Sequence, residues 1–433
     1  MRDLVLLAFF AVCVYYILKR PYIGVLVWSL FGYLNPHKST FGFAYNFPFA
    51  QITGLLTITA LLFSKEPKKL PITPLVILYF IYLSWMTLTT VFSFNPEEAW
   101  FVWEKVMKIQ AMTILTLILI NSREKIEWLV LTIVVSIGFY GVKGGIFTIF
   151  GGGYDKVRGP TSTFIEGNTE IGLALIMVLP LIRYLNLQAK NPWISRMFLA
   201  AVALTAVAIL GTQSRGALLG LVAIGFFLWL KSRQKIVLTV LFVLFIPIMI
   251  NFMPQTWFDK MNTIETYEED GSAMGRIQAW RFAISLANSH PILGGGYETF
   301  DRVTWTIYTP DPGSTSRAAH SIYFQVLGEH GYVGLLMFLG ILGGCWRTAS
   351  SIIRNVKKRD DLKWASDLAA MLQVSLIGYA VAGAFLSLAN FDLFYHVFAI
   401  IVVLKVVVDK AIKEPPSNIG SQEKITVEQK YSA

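Results

Sequence analysis

His320 stands at the head of a stretch that turns from polar to apolar within a few residues, "RAAHSIYFQVLGEHGYVGLLMFLGIL" from position 317 to 342. A lipid-crossing helix has no need of His320, Ser321, Tyr323 and Gln325 at its mouth, so they are either an interfacial cap or the place of a reaction. Imidazole is the side chain whose ordinary pKa lies nearest neutrality, which suits it to take a proton from a hydroxyl. Ser321 and Tyr323 would then orient the acceptor. Glu329 and His330 lie about two to three turns deeper and read as structural, ending one helix before Gly331.

Cations supply the complementary chemistry. Arg215 sits in "LGTQSRGALLG", where two apolar blocks meet. It either snorkels to lipid phosphate or turns inward to hold an anion, for which a planar guanidinium offers two parallel donors. Arg276 and Arg281 lie in "GRIQAWRFAISLAN", 275–288, a predicted amphipathic helix with Ile277, Trp280, Ala283, Ile284 and Ala287 on one face. At about 100° per residue the two arginines point about 140° apart, so they do not grip one oxygen together. Arg276 falls at the predicted helix N-terminus, where orphan N–H groups also favour an anion. Arg281 shares a face with Gln278 and Ser285 that reads equally well as solvated.

Other polar residues have plainer readings. Arg158, Glu166 and Asn168 belong to "KVRGPTSTFIEGN", 156–168, a shaped loop expected at the same mouth. Glu268, Glu269 and Asp270 form a run on a turn without a converging ligand set, so no metal is expected. There is no P-loop, no G-x-G-x-x-G after a strand, no H-E-x-x-H and no C-x-x-C pair, so no cofactor is expected either. Glu104 and Lys108 make an i,i+4 pair, worth only tenths of a kcal/mol. His37, His290 and His396 read as structural.

The elements that must position these groups follow from composition. Only 15% of the 433 residues are charged, against roughly 25% in a soluble protein, and 55% are hydrophobic. The apolar residues come in long blocks, near 4–18, 22–34, 47–63, 74–93, 101–120, 127–150, 169–185, 197–211, 216–230, 236–252, 331–349, 366–387 and 392–408. That predicts an all-α polytopic membrane protein of about 12 transmembrane helices, because lipid offers no partner to unpaired backbone. The block 4–18 reads as retained, since no small-residue cleavage site follows it. Cys13 and Cys345 both lie inside apolar blocks, which argues against a disulfide framework.

The net charge of +10 sets orientation here and is not read as a nucleic-acid footprint. Lys65/Lys68/Lys69, Arg123/Lys125, Lys231/Arg233/Lys235 and the run from Arg347 to Lys363 fall in alternate loops, expected to be cytoplasmic. Four segments are then expected on the far side: 35–46, 151–168, the turn 212–215 and the long loop 253–318. The divisions expected are an N-terminal membrane region 1–120, central helices 121–252, the loop 253–318, C-terminal helices 319–409 and a disordered cytoplasmic tail 410–433. A loop of about 65 residues with its own helices reads as a lid or site over the membrane domain.

Three stretches, "TQSRGALLG", "GRIQAWRFAISLANSHPILGGGYETF" and "AAHSIYFQVLGEHGYVG", resemble the signature region of the O-antigen ligase and O-antigen polymerase superfamily. The stretch "RPYIGVLVWSLFGYLNPHKSTFGFAYNFPFAQI" resembles the N-terminal domain of its exosortase-associated O-glycosylation ligase branch. The resemblance implies a GT-C-like glycosyltransferase of the bacterial inner membrane, with its long loop and active site facing the periplasm. It implies a glycan donor on undecaprenyl diphosphate and an acceptor hydroxyl on lipid A–core, a growing chain or a protein. The family's arginine before the small-residue span maps onto Arg215 and the one opening the loop helix onto Arg276, with Arg281 a further candidate for the diphosphate. The loop-end histidine maps onto His320; its usual asparagine neighbour is Ser321 here, so that neighbour's role does not carry over. Arg158 and Asn168 are mouth-lining candidates beside Ser321 and Tyr323.

The competing readings are a polymerase on the same fold, a protein O-oligosaccharyltransferase, and a transporter of lipid-linked glycan. A transporter is expected to place ionisable residues or broken helices near the midplane, often in two matching halves. The notable charges here cluster outside and in one loop, which favours surface chemistry.

Overall fold

The computed structural model describes residues 1–413 apart from position 233, scattered positions within 237–251, and 263–270. The expected block 236–252 therefore falls largely outside the described residues, as do Arg233, the run Glu268–Glu269–Asp270 and the tail from 414.

Among the described residues all regular structure is helical. The helices are α1 (Arg2–Lys19), α2 (Tyr22–Leu34), α3 (Phe49–Phe63), α4 (Pro74–Val91), α5 (Pro96–Leu119), α6 (Arg123–Phe150), α7 (Asn168–Gln188) and α8 (Pro192–Gly211). They continue with α9 (Arg215–Lys231), α10 (Gln255–Asn262), α11 (Gly271–Ser289), α12 (Arg302–Tyr308), α13 (Ile322–Asn355), α14 (Lys363–Ala382) and α15 (Asp392–Lys413). Among the described residues six segments are long and apolar enough to cross a bilayer: α4, α6, α7, α8, α13 and the stretch Asp360–Phe385 that contains α14. The chain is a polytopic helical membrane protein.

Local chemistry starts several of these helices. Thr73 accepts from the Val76 N–H and Pro74 takes the first position of α4; Ser122 accepts from Lys125 to open α6. Asn191 and Pro192 open α8 in the same way. The α7 helix is apolar all round and buried from Ile171 to Ile182, as a helix enclosed by others must be. It packs on α6, α8, α9 and α14. α1–α3 form a satellite core around Phe10, Phe31 and Phe49, with the Phe31 and Phe49 rings stacked at 4.7 Å. Cys13 and Cys345 are free and buried.

The loops sort to two ends. At one, Lys125 pairs with Glu66 at 2.9 Å, Gln188 donates to Asp367 and Arg123 lies over Trp364. At the other, Tyr45 meets Thr161, Gln213 Nε2 donates to the Gly153 and Tyr154 carbonyls, and the Phe94 N–H donates to Gly295. The expected outer segments 35–46, 151–168 and 212–215 thus share contacts at one end.

Three features depart from the sequence reading. The block expected at 366–387 leaves the helix after Ala382, and 383–391 folds back as an apolar irregular segment. Apolarity told of burial there, but the backbone is satisfied by other means: the Tyr379 hydroxyl donates to the Leu388 carbonyl. The loop helix begins at Gly271, so Arg276 stands in its second turn and the orphan N–H groups of the helix start are not beside it. Its buried face also runs through Ala279, Phe282, Ala283 and Leu286, leaving Ile284 40% exposed. Phe282 stacks on Trp305 of α12 at 4.7 Å, giving the loop a small core of its own.

α13 is broken at Gly331, whose φ of 68° departs from the helix. The glycine turn at 294–296 docks into the break. Gly295 and Gly296 donate to the carbonyls of Gly328 and Glu329, each at 2.9 Å, and the Tyr332 N–H donates to Pro291 at 2.9 Å. A helix end inside a membrane protein is thereby capped by another part of the chain.

Candidate functional site

His320 closes the loop one residue before the N-cap of α13, with a left-handed φ of 46°. Histidine tolerates that region better than most residues, and such conformations persist only where surroundings hold them. Two hydrogen bonds do the holding. The His320 N–H donates to Ser387 Oγ at 2.7 Å, tying it to the fold-back segment. The Trp280 Nε1–H donates to the carbonyl of Ala319 at 3.0 Å, tying the preceding peptide to α11.

Trp280 is the pivot of the site. Its ring stacks on Phe324 at 5.1 Å and lies 6.5 Å from Phe385. Arg276 is one turn earlier on α11 and so shares its face. Phe385 in turn packs on Gly216, where an added Cβ would lie 3.0 Å from the Phe385 Cβ. Gly216 follows Arg215, the first residue of α9, which Ser214 caps by accepting from Ala217. α9, α11, 319–324 and 383–387 thus converge, bringing the segments that bear Arg215, Arg276 and His320 to one place.

The imidazole is held below its ordinary pKa of 6.5, first by burial and then by the positive charges of Arg276 and Arg317. It is therefore neutral at pH 7 and able to accept a proton. Arg317 was not singled out by sequence. Its one signal is its position three residues before His320 in the same polar stretch. Its guanidinium lies against Gly275 of α11, where a Cβ would come within 2.2 Å of Nη1.

The remaining sequence candidates fall in different places. Arg281 is on the exposed side of α11, donating to Asp311 Oδ1 at 3.2 Å. Asn168 opens α7 and donates from Nδ2 to the Thr212 carbonyl at 2.9 Å, bracing the turn that delivers Arg215. Gln213, with φ of 53°, braces that turn from its other side, and sequence reading passed it over. Arg158 is exposed beside Val157, whose N–H donates to Gly211 at the end of α8. Ser321 is buried and caps nothing; its Oγ has no hydrogen-bond partner among the described residues. The Tyr323 hydroxyl donates to Ala380 at 2.8 Å, a packing bond between α13 and α14.

Deeper along α13, Gln325 joins the fold-back segment to Glu329. Its Oε1 accepts from the Ala389 N–H at 3.1 Å and its Nε2 donates to Glu329 Oε1 at 3.2 Å. His330 bonds through Nδ1 to Thr89 at 2.7 Å and its carbonyl accepts from Trp85. These residues sit at the helix break. His290 bonds the Tyr308 hydroxyl at 2.8 Å and His396 bonds Tyr33 and Ser29. Glu104 and Lys108 form their surface pair at 2.7 Å.

At one end of the helical membrane bundle the positive charges of Arg276 and Arg317 therefore act on the His320 imidazole. Residues 200–339 match the family described as O-Antigen ligase, and that segment's match supports the O-antigen ligase superfamily. The match takes in Arg215, Arg276, Arg317 and His320. Residues 1–190 match a family of unknown function (DUF5935). No curated protein matches the sequence.

Proposed function

We propose that the chain is an inverting, metal-independent glycosyltransferase that moves a glycan from undecaprenyl diphosphate to an acceptor hydroxyl, as a lipid A–core O-antigen ligase does. The observation that carries this reading is His320, kept neutral within the field of Arg276 and Arg317, with Arg215 delivered to the same end of the bundle. In the reaction His320 takes the acceptor proton as the oxygen attacks the anomeric carbon. The bond from that carbon to the diphosphate oxygen breaks, its electron pair leaves with undecaprenyl diphosphate, and the configuration inverts. The arginines stabilise the negative charge growing on the leaving group, inside a mouth partly shielded from water.

On this reading the protein lies in a bacterial inner membrane, with about 12 spans in a GT-C-like arrangement and 253–318 as the periplasmic loop. The N-terminal resemblance favours the exosortase-associated branch. The break in α13 is filled by the protein's own Gly295 and Gly296, which suits a fixed scaffold better than a moving gate.

The test is transfer by purified protein from an undecaprenyl diphosphate-linked glycan to lipid A–core, read by mass. Wild type should transfer and His320→Ala should lose activity by about 100-fold or more, as loss of a general base does. In cells, His320→Ala should leave lipid-linked glycan outside and lipid A–core bare. Glycan held inside would instead mark a transporter.

A further inference from the structure

The fold-back segment 383–391 leaves the helix that its apolar sequence would continue, and it then meets α13, α9, α11 and the loop end at His320. Gly383 packs on the start of α13, where its Cβ would stand 2.8 Å from Ile322 Cδ1. Phe385 meets the first turn of α9, since a Cβ on Gly216 would stand 3.0 Å from the Phe385 Cβ, and its ring lies 6.5 Å from that of Trp280 on α11. Two residues on, Ser387 Oγ accepts the His320 N–H at 2.7 Å. Leu386 between them is buried in the bundle core, and the Ala389 N–H donates to Gln325 Oε1 at 3.1 Å. The stretch 385–387 therefore joins the backbone that carries Arg215 to the backbone that carries His320. It lies outside both segments matched by known families.

We infer that Ser387 is a positioning residue for His320, and that Phe385–Ser387 set the place of the imidazole relative to the start of α9. The catalytic part of this rests on the proposed general-base reading. The carbonyl of Ala319 and the N–H of His320 are the two polar groups of one peptide unit, and in a trans peptide they point in opposite directions. Trp280 donates to the carbonyl and Ser387 accepts from the N–H. α11 and the fold-back segment thus grip one peptide plane from opposite sides, and the plane cannot turn without breaking a bond. That plane leads directly into the left-handed φ of 46° at His320, a conformation held only under restraint. The fold-back segment closes its own turns with backbone bonds, from the Leu388 N–H to Leu386 and from the Phe391 N–H to Leu388. The oxygen of Ser387 serves His320 instead.

The experiment uses the full-length protein in nanodiscs. Hydrogen exchange over 318–322 is read by mass spectrometry, and kcat and donor KM are read with an undecaprenyl diphosphate-linked glycan. Ser387→Ala should speed exchange over 318–322 about 3- to 10-fold and lower kcat by a similar factor, the share of one hydrogen bond, with donor KM and the acid limb of the pH profile unmoved. Ser387→Thr, which keeps the oxygen, should restore both. Gly216→Ala presses on Phe385 and should also speed exchange over 318–322, although it lies in another helix. Added to Ser387→Ala, it should speed exchange there no further. Exchange that keeps its wild-type rate in Ser387→Ala overturns the inference, and so does faster exchange with kcat unchanged. A loss of kcat that comes with lower thermal stability and that Ser387→Thr does not rescue is a fold defect and overturns it too. Gly216→Ala without effect over 318–322 removes the link through Phe385. Should His320→Ala transfer at the wild-type rate, the general-base reading fails, while exchange in Ser387→Ala and Gly216→Ala still decides whether 385–387 position the residue.

Discussion

The indole N–H of Trp280 donates to the carbonyl of Ala319, so the loop helix α11 holds the peptide that precedes His320. This single bond couples the arginine-bearing helix to the base. Together with the His320 N–H bond to Ser387 it explains how a residue with a left-handed φ stays in place without lying in regular structure.

Replacing Trp280 by phenylalanine keeps a ring against Phe324 and Phe385 but removes the donor. One hydrogen bond is worth about 1 kcal/mol, so transfer should fall about 3- to 10-fold with little loss of stability. Trp280→Ala should cost far more, because it also removes the stack between α11 and the mouth of α13. Equal activities of the two variants would show that the hydrogen bond is the whole contribution.

The pH profile follows from the direction of the His320 shift. Its pKa lies below 6.5, so the neutral, proton-accepting form persists through pH 7 and is lost only on the acid side. Transfer should be constant around neutrality and decline as pH falls through a midpoint under 6.5. Arg276→Gln removes one of the charges that disfavour imidazolium, so the midpoint should rise toward the ordinary value as overall activity drops. A midpoint that falls on loss of Arg276 would contradict the arrangement.

Much of this was readable from residue types, and the failures have physical causes. Long apolar blocks announce membrane helices because the lipid constraint is severe, and α4, α6, α7 and α8 lie close to their expected blocks. The segment 383–391 was not legible, since apolar composition reports burial and says nothing of backbone shape. His320 was legible as an ionisable group at an apolar mouth. The place of Arg317 was not, because its seat depends on a glycine some forty residues away in sequence that α11 brings alongside. The start of α11 was missed because residues before Gly275 carry no helical periodicity, and that shifted Arg276 away from the helix end.

Asn168 tests whether Arg215 works by position. Its side chain donates to Thr212, three residues before that arginine, and nothing in this contact touches a substrate. Asn168→Ala should therefore raise the donor KM about 3- to 10-fold, with a smaller effect on kcat, through a turn left less well placed by about 1 kcal/mol. The acid limb set by His320 should not move. A variant that loses stability without changing the donor KM would show a purely structural brace.

Gly331 decides how firmly the loop that carries the 294–296 turn is seated. Its φ of 68° disfavours any L side chain, and a Cβ there would lie 2.4 Å from the Ile292 carbonyl oxygen in the docked glycine turn. Gly331→Ala must therefore either strain α13, at about 1–3 kcal/mol for the backbone alone, or push the turn out of the break. Displacement would free the Gly328 and Glu329 carbonyls that Gly295 and Gly296 now satisfy, and would shift the loop that carries α11. The expected result is lower thermal stability together with weaker transfer, the two falling in step. Limited proteolysis of the folded variant should also cut more readily within 291–297, whose backbone donors have lost their partners. If cleavage there stays at the wild-type rate while stability drops, the strain has been absorbed in α13 and the turn holds the loop by itself.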